Sequence, residues 1–269
     1  MNRTIRCHVI GLLSAGLALG LNAAEQEAFA EAAAADWQEV WFDDGTGDWA
    51  EKWFLDGLTA QVSNDERGMH FAAGPTHGHH PDHAVLWTRQ SFAGDVRIDF
   101  EYTKTDDEIR NVNIIYVLAS GQGAAPFVED IVAWRDLRTE PWMKHYFNHM
   151  NTYHVSFAAF PMVNADQDSE ADYIRARRYM PDSSNGLGGT ALLPDYEPEG
   201  LFKKGVPHQI TVIKRGDDLF MRVRNAEQTL VCHWPTTTHP DISSGRIGLR
   251  HMFTRSARYR NFRISSIER

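Results

Sequence analysis

From Lys144 to His154 the chain reads Lys-His-Tyr-Phe-Asn-His-Met-Asn-Thr-Tyr-His, a run dense in side chains that exchange protons or form hydrogen bonds. Imidazole titrates near neutral pH, so His154 or His149 can serve as a base, with the hydroxyl of Tyr146 or Tyr153 as an acid. A second group is basic: Arg175 and Arg177 two positions apart, Arg250 and Arg255 near the C-terminus, and Lys144. Guanidinium forks grip carboxylate or sulfate through paired N–H bonds. Asn113, His83 and His251 add polar groups able to face the same ligand. A carboxylate neutraliser, a base and an acid are what β-elimination from a uronate requires. An acidic oligosaccharide or polysaccharide is therefore the partner these residues suit, with His154, His149 and Tyr146 as the catalytic candidates. A plainer reading stands beside it: surface arginines paired with surplus Asp and Glu, and a loop that merely leads into a strand.

Two other clusters say less. His77-Gly-His-His-Pro-Asp-His83 is rich in imidazole, and His145 with His149 has a helical i,i+4 spacing. Neither forms a specific metal-ligand pattern, so the loop reads as solvated and only His83 is kept as a binding candidate. No cofactor is implied, and a structural Ca2+ held by loop carbonyls stays open. Cys232, in Leu-Val-Cys-His-Trp, reads as an inert strand-core thiol. The net charge of −9 argues against nucleic acid as a partner.

The elements that must position these side chains are strands. Short β-branched or aromatic runs recur between turn formers: 85–87, 96–102, 112–117, 153–160, 173–179, 208–213, 219–223, 245–251 and 259–264. Lys214-Arg-Gly-Asp-Asp218 joins two of them as a hairpin. Residues 128–144 are expected to hold one short helix. Many strands and little helix predict an all-β sandwich or barrel. Successive strand residues point to opposite faces. Alternation accordingly assigns Ile98, Phe100 and Tyr102 to the core against Asp99 and Glu101. It assigns Val112, Ile114 and Tyr116 to the core against Asn111 and Asn113. Val155 and Phe157 oppose His154 and Ser156, Ile174 and Ala176 oppose Arg175 and Arg177, and Ile247 and Leu249 oppose Arg246 and Arg250. Several polar faces brought into one sheet would make a platform for a sugar chain.

The N-terminus has a different texture. Arg3 and Arg6 precede an apolar run, Val9 to Leu21, too short to anchor in a bilayer, and Asn22-Ala-Ala24 supplies small residues for cleavage. Residues 1–24 thus read as a signal peptide, which places the mature protein in the periplasm or outside the cell. Residues 25–37 form an alanine-rich linker or short helix, and residues 38–269 a single domain. No later stretch is long and apolar enough to span a membrane.

The tail Gly245-Arg-Ile-Gly-Leu-Arg-His-Met-Phe-Thr-Arg-Ser-Ala-Arg-Tyr-Arg-Asn-Phe-Arg-Ile264 resembles the closing strand pair of concanavalin-A-like glucanases and lectins. Together with Trp53-Phe-Leu-Asp-Gly57, Asp82-His-Ala-Val-Leu-Trp87 and Tyr173-Ile-Arg-Ala-Arg-Arg-Tyr179, it resembles the YesU-like family of bacterial proteins over residues 38–269. A looser likeness, in strand order alone, is to 3-keto-disaccharide hydrolases. The resemblance implies a concanavalin-A-like jelly-roll β-sandwich of two antiparallel sheets and an association with polysaccharide degradation. Retaining glucanases of this fold carry Glu-x-Asp-x-Glu on one strand face. The corresponding run here is Arg97-Ile-Asp99-Phe-Glu101, in which arginine replaces the first carboxylate, so that mechanism is disfavoured. Lyase-type elimination is the preferred expectation, with a non-catalytic glycan-binding domain or a glycoside hydrolase as the alternatives.

Overall fold

A computed structural model describes residues 23–161, 172–181 and 184–267. The signal-peptide reading of residues 1–24 thus lies outside the described residues except at its last two positions. Residues 23–33 form helix α1. The strands are β1 (Gln38–Asp43), β2 (Trp53–Asp56), β3 (Gln61–Asp65), β4 (Gly68–Ala72), β5 (Ala84–Thr88), β6 (Phe92–Ala93), β7 (Asp95–Lys104) and β8 (Asn111–Gly121). They continue with β9 (Met150–Phe160), β10 (Tyr173–Tyr179), β11 (Ala191–Tyr196), β12 (Pro207–Arg215), β13 (Asp218–Arg224), β14 (Thr229–Pro235), β15 (Ser244–His251) and β16 (Ser256–Ile267). Helix α2 (Trp49–Lys52) precedes β2. Between β8 and β9 lie a 3-10 segment, Ile131–Arg138, and helix α3, Met143–His149. The expected single helix at 128–144 is therefore two shorter pieces, divided at Pro141, which lies just before α3.

The strands form two antiparallel eight-stranded sheets, a jelly-roll sandwich. The back sheet runs β14-β13-β12-β7-β16-β4-β3 with β1 beside β16, and the front sheet runs β11-β10-β9-β8-β15-β5-β2 with β6 beside β15. Gly216 and Asp217 make the turn between β12 and β13, with Gly216 at φ 51°. Between the sheets the core contains Ile98, Phe100, Tyr102, Val155, Phe157, Ile174, Ala176, Ile247 and Leu249, as alternation assigns them, together with the Cys232 thiol. Strand β8 is the exception. Ile115 and Val117 enter the core, while Val112, Ile114 and Tyr116 point outward into a separate apolar cluster. The physical reason is a cover: residues 127–150 fold over part of the front sheet's outer face, which must then be apolar too. Asn113, expected outside, lies between the sheets and donates to the Tyr102 hydroxyl at 2.7 Å.

One carboxylate ties that cover down. Asp56, at the end of edge strand β2, accepts from Arg138 Nε (2.7 Å), Trp87 Nε1 (2.8 Å) and Tyr146 Oη (3.2 Å) through a single oxygen, Oδ2. Both Asp56 and Arg138 have fully buried side chains. Beneath the cover Trp87, Tyr116 and Tyr146 stack: Trp87 on Tyr116 with centroids 5.3 Å apart, and Tyr116 on Tyr146 at 6.0 Å and 3°. Gly248 allows this stack, because a Cβ there would lie 2.4 Å from the Trp87 ring.

Two substitutions check this construction. Gly248→Ala is expected to cost about 1–3 kcal/mol in urea unfolding, since the indole must leave the stack. Asp56→Ala is expected to cost about 3–5 kcal/mol by stranding the buried Arg138 charge, and Asp56→Ala with Arg138→Met to cost less than Asp56→Ala alone. Additive losses in that cycle would contradict the pairing.

Candidate functional site

Strand register sets the front sheet's outer face as cross-strand rows. One row runs Arg177, His154, Tyr116, Gly248, Trp87, Phe54; the next runs Arg175, Ser156, Ile114, Arg250, Val85, Asp56. Paired residues share a face. His154, Arg175, Arg177 and Arg250, far apart in sequence, are therefore neighbours on one surface. The apolar half, toward β2 and β5, lies under the cover; the polar half lies on β9 and β10. Arg250 sits at the boundary.

His154 occupies the polar half with its ring clamped. Its Nδ1 lies 2.5 Å from Tyr179 Oη and its Nε2 2.6 Å from Ser156 Oγ. Burial, reinforced by Arg177, Arg250 and Arg175, pushes its pKa well below the ordinary value. The imidazole is therefore neutral at working pH, and the same burial and guanidinium groups oppose its protonation unless an anion offsets them. Burial also raises Tyr116 and Tyr179 above the ordinary tyrosine range, so both hydroxyls keep their protons.

Arg250 is the most unusual group on this face. It is 0 % exposed. Its Nη2 donates to the Pro141 carbonyl at 2.6 Å and to His83 Nδ1, and its guanidinium lies 4.5 Å from the Tyr146 ring centre. Its Nε and Nη1 make no well-formed hydrogen bond among the described residues, the Tyr116 hydroxyl being the polar group beside the guanidinium, and no carboxylate pairs with it there. Arginine only donates, so His83 Nδ1 must accept, which places the His83 proton on Nε2. That nitrogen is also buried and unpartnered. Burial, with Arg250 adding to it, pushes the His83 pKa down to about 2.

The remaining expected residues divide four ways. Arg175 and Arg177 form the rim: Arg175 is 34 % exposed at its side chain and pairs with Asp195 at 2.7 Å, and Arg177 donates to Thr190 Oγ1 at 3.3 Å. Lys144 stands exposed on α3, 5.1 Å from the Trp142 ring centre. Tyr146 and His149 belong to the cover rather than to the His154 cluster. The Tyr146 hydroxyl is committed to Asp56, and the His149 ring stacks on Phe127 with centroids 3.7 Å apart. Asn113, His251 and Arg255 are corrected as ligand-facing residues. Asn113 and His251 are paired with each other on the inner face of the front sheet; His251 stacks on Phe71 and bonds Tyr259 Oη at 2.7 Å. Arg255, also fully buried, pairs with Asp106 and donates to the carbonyls of Asn111 and Ala158. Tyr153 points inward as well, to Asp241.

Tyr179, Ser156, Tyr116 and Trp87 were not among the expected site residues. The signal for Ser156 and Tyr179 was present: they share strand parity with His154 and with Arg175 and Arg177. Tyr116 was hidden because β8 is apolar on both faces. Asp99 and Glu101 lie on the back sheet's outer face and take no part in this cluster.

The buried imidazoles make stability sensitive to acid. His154, His83 and His251, the last pushed to about 3 chiefly by burial, remain neutral when folded but accept protons near pH 6.5 once unfolded. Their contribution is complete above that pH and is lost as pH falls, by about 1.4 kcal/mol per unit for each group. Urea midpoints should drop steeply from pH 6.5 to 5, and His83→Gln should flatten the slope. A level profile across that interval would contradict the assignment.

No curated protein matches the chain. Among solved structures it is similar to a Bacillus subtilis protein described as of unknown function with a galectin-like fold (16 % identity, TM-score 0.58, covering 86 % of this chain and 100 % of that one). It is also similar to a legume lectin-like domain from Entamoeba histolytica (6 %, TM-score 0.54, 82 % and 92 %). A third is the lectin UEA-II, described as complexed with galactose (6 %, TM-score 0.52, 86 % and 100 %). At these identities the likeness establishes the lectin-type jelly roll and no activity. A family model described as "Domain of unknown function (DUF1961)" matches residues 45–264. The closing strands, the Trp53–Gly57 motif and the sandwich they build thus lead to one conclusion, in keeping with the YesU-like resemblance: the chain belongs to the DUF1961 family.

Proposed function

We propose that this protein binds an acidic carbohydrate on the outer face of the front sheet and cleaves it by β-elimination. The observation that carries the reading is Arg250. A buried guanidinium without a counter-ion costs several kcal/mol, a cost offset only when an anion arrives. A uronate carboxylate is the anion we assign to its N–H donors, with Arg175 and Arg177 at the rim. Lectin-fold neighbours, one of them described in complex with galactose, support a carbohydrate as the carrier of that anion.

The chemistry follows from the groups around it. Neutralising the carboxylate acidifies the C5 proton of the uronate. His154 gives up its bond to the Ser156 hydroxyl and takes that proton on Nε2. The electron pair left on C5 forms the C4=C5 double bond as the C4–O4 bond breaks, and the departing oxygen takes a proton from Tyr179 or Tyr116. The imidazolium then gives up its proton and the tyrosinate takes one back, through solvent, which restores both groups. A polymeric substrate accords with the export signal read in residues 1–24, and a periplasmic or secreted location is part of the proposal. A second reading, glycan binding without turnover, is favoured by one observation: both ring nitrogens of His154 already have partners.

The test uses polygalacturonate and alginate oligosaccharides, measuring binding by calorimetry and the unsaturated product by its ultraviolet absorbance. Elimination predicts absorbance from wild type, its loss in His154→Ala with binding retained, and at least ~100-fold weaker binding in Arg250→Met. Arg250→Met should leave the melting temperature unchanged or raised, because an apolar side chain of similar volume removes an uncompensated charge. Binding without absorbance would select the second reading. Equal binding by wild type and Arg250→Met would overturn both.

A further inference from the structure

We propose that the outer face of the back sheet carries a second, separate groove, for a neutral hydroxyl-rich saccharide. Register again sets its floor. Arg222, Thr211, Asp99 and Arg263 form one cross-strand row over β13, β12, β7 and β16, and Arg224, Gln209, Glu101 and Arg260 the next. The adjacent row is covered, because α1 packs Phe29 and Ala32 on Ile213, Phe220 and Val231. The end of α1 and Trp37 therefore make one wall. Trp37 is half-buried and held by its Nε1–H bond to the Ala32 carbonyl at 3.0 Å. The opposite wall is the β16 bulge between Arg260 and Arg263, where Asn261 takes φ 50° and donates to Glu101 at 2.9 Å. The recess between them measures about 750 Å3. That lies within the range of small-molecule sites.

Charge selects the ligand class. Arg97 makes a two-pronged pair with Asp99 (2.7 and 3.0 Å), Thr211 donates to the same carboxylate at 2.8 Å, and Arg263 pairs with Glu39 at 2.9 Å. Two of the lining arginines thus have their carboxylates beside them, and the remaining two charges, Arg222 and Glu101, are of opposite sign, so the groove presents directed donors and acceptors with its lining charges balanced in number. Neighbouring strands lie about 4.8 Å apart, a spacing that suits hydroxyls along a sugar chain. Arg222 Nε is buried at the floor without a partner among the described residues and offers a donor, while its Nη2 is already on Thr211 at 3.2 Å. Trp37 supplies the aromatic face on which the apolar side of a pyranose packs. A merely solvated sheet face requires neither the walls nor a buried, unused donor.

This inference does not depend on the front-sheet reading, and its test keeps the two apart. Wild type, Glu101→Ala/Gln209→Ala and Arg250→Met would be run by affinity electrophoresis through gels containing a neutral β-galactan or a neutral β-glucan. The expected result is retardation of wild type and Arg250→Met on at least one of the two. For Glu101→Ala/Gln209→Ala the dissociation constant should rise at least ~10-fold at an unchanged melting temperature. The resonance of the Trp37 indole N–H, followed in wild type during titration with oligosaccharides of the retarding polymer, should shift and saturate. Retardation of the double variant equal to wild type, no retardation of wild type on either polymer, or an unmoved Trp37 resonance would each overturn the proposal. Should the double variant melt early, Gln209→Glu and the Trp37 titration decide the matter in its place.

Discussion

The carboxylate of Asp56 is the constraint on which the front of this molecule depends. It lies at the end of an edge strand, yet it receives hydrogen bonds from β5, from the 3-10 segment and from α3. Fully buried charges persist only when paired and hydrogen-bonded, so Asp56 and Arg138 each require the other. Satisfying that requirement closes the cover over half a sheet face, aligns three aromatic rings and leaves the other half polar. The division between packed wall and polar floor follows from one buried ion pair.

Arg250 shows the opposite arrangement on the same face. Its guanidinium is as deeply buried as that of Arg138, but it faces a neutral imidazole, a carbonyl and an aromatic ring instead of a carboxylate. Groups that lower stability in the unliganded protein commonly mark where a ligand completes the structure. Among the described residues the two arginines differ by a single anion. That difference separates structural electrostatics from functional electrostatics here, and it has a counterpart on the back sheet, where Asp99 and Glu39 pair with Arg97 and Arg263.

Much of this was legible beforehand. Nine of the sixteen strands, the β12–β13 hairpin, the buried thiol and four of the five alternation patterns follow from local spacing, because a pleated strand reverses its side chains at every residue. His154, Arg175, Arg177 and Arg250 could be assigned to polar faces for the same reason. The failures share one cause. Asn113, His251 and Arg255 are polar, and alternation or mere proximity to Arg250 pointed them toward ligand, but each turns into the interior, where it meets a side chain that strand spacing alone does not bring to it: Tyr102, Tyr259 and Asp106 respectively.

By itself the sequence determined the all-β class, the strand periods, the acidic balance and the supply of imidazole and guanidinium groups, all of which depend on residues close together in the chain. Only the tertiary structure decided which sheet each strand joined, that a segment between β8 and β9 would cover an apolar outer face, and that Asp56 would pair with Arg138 rather than with Arg250. Those outcomes rest on long-range pairing, and the burial that makes a charge expensive exists only after the sheets have closed.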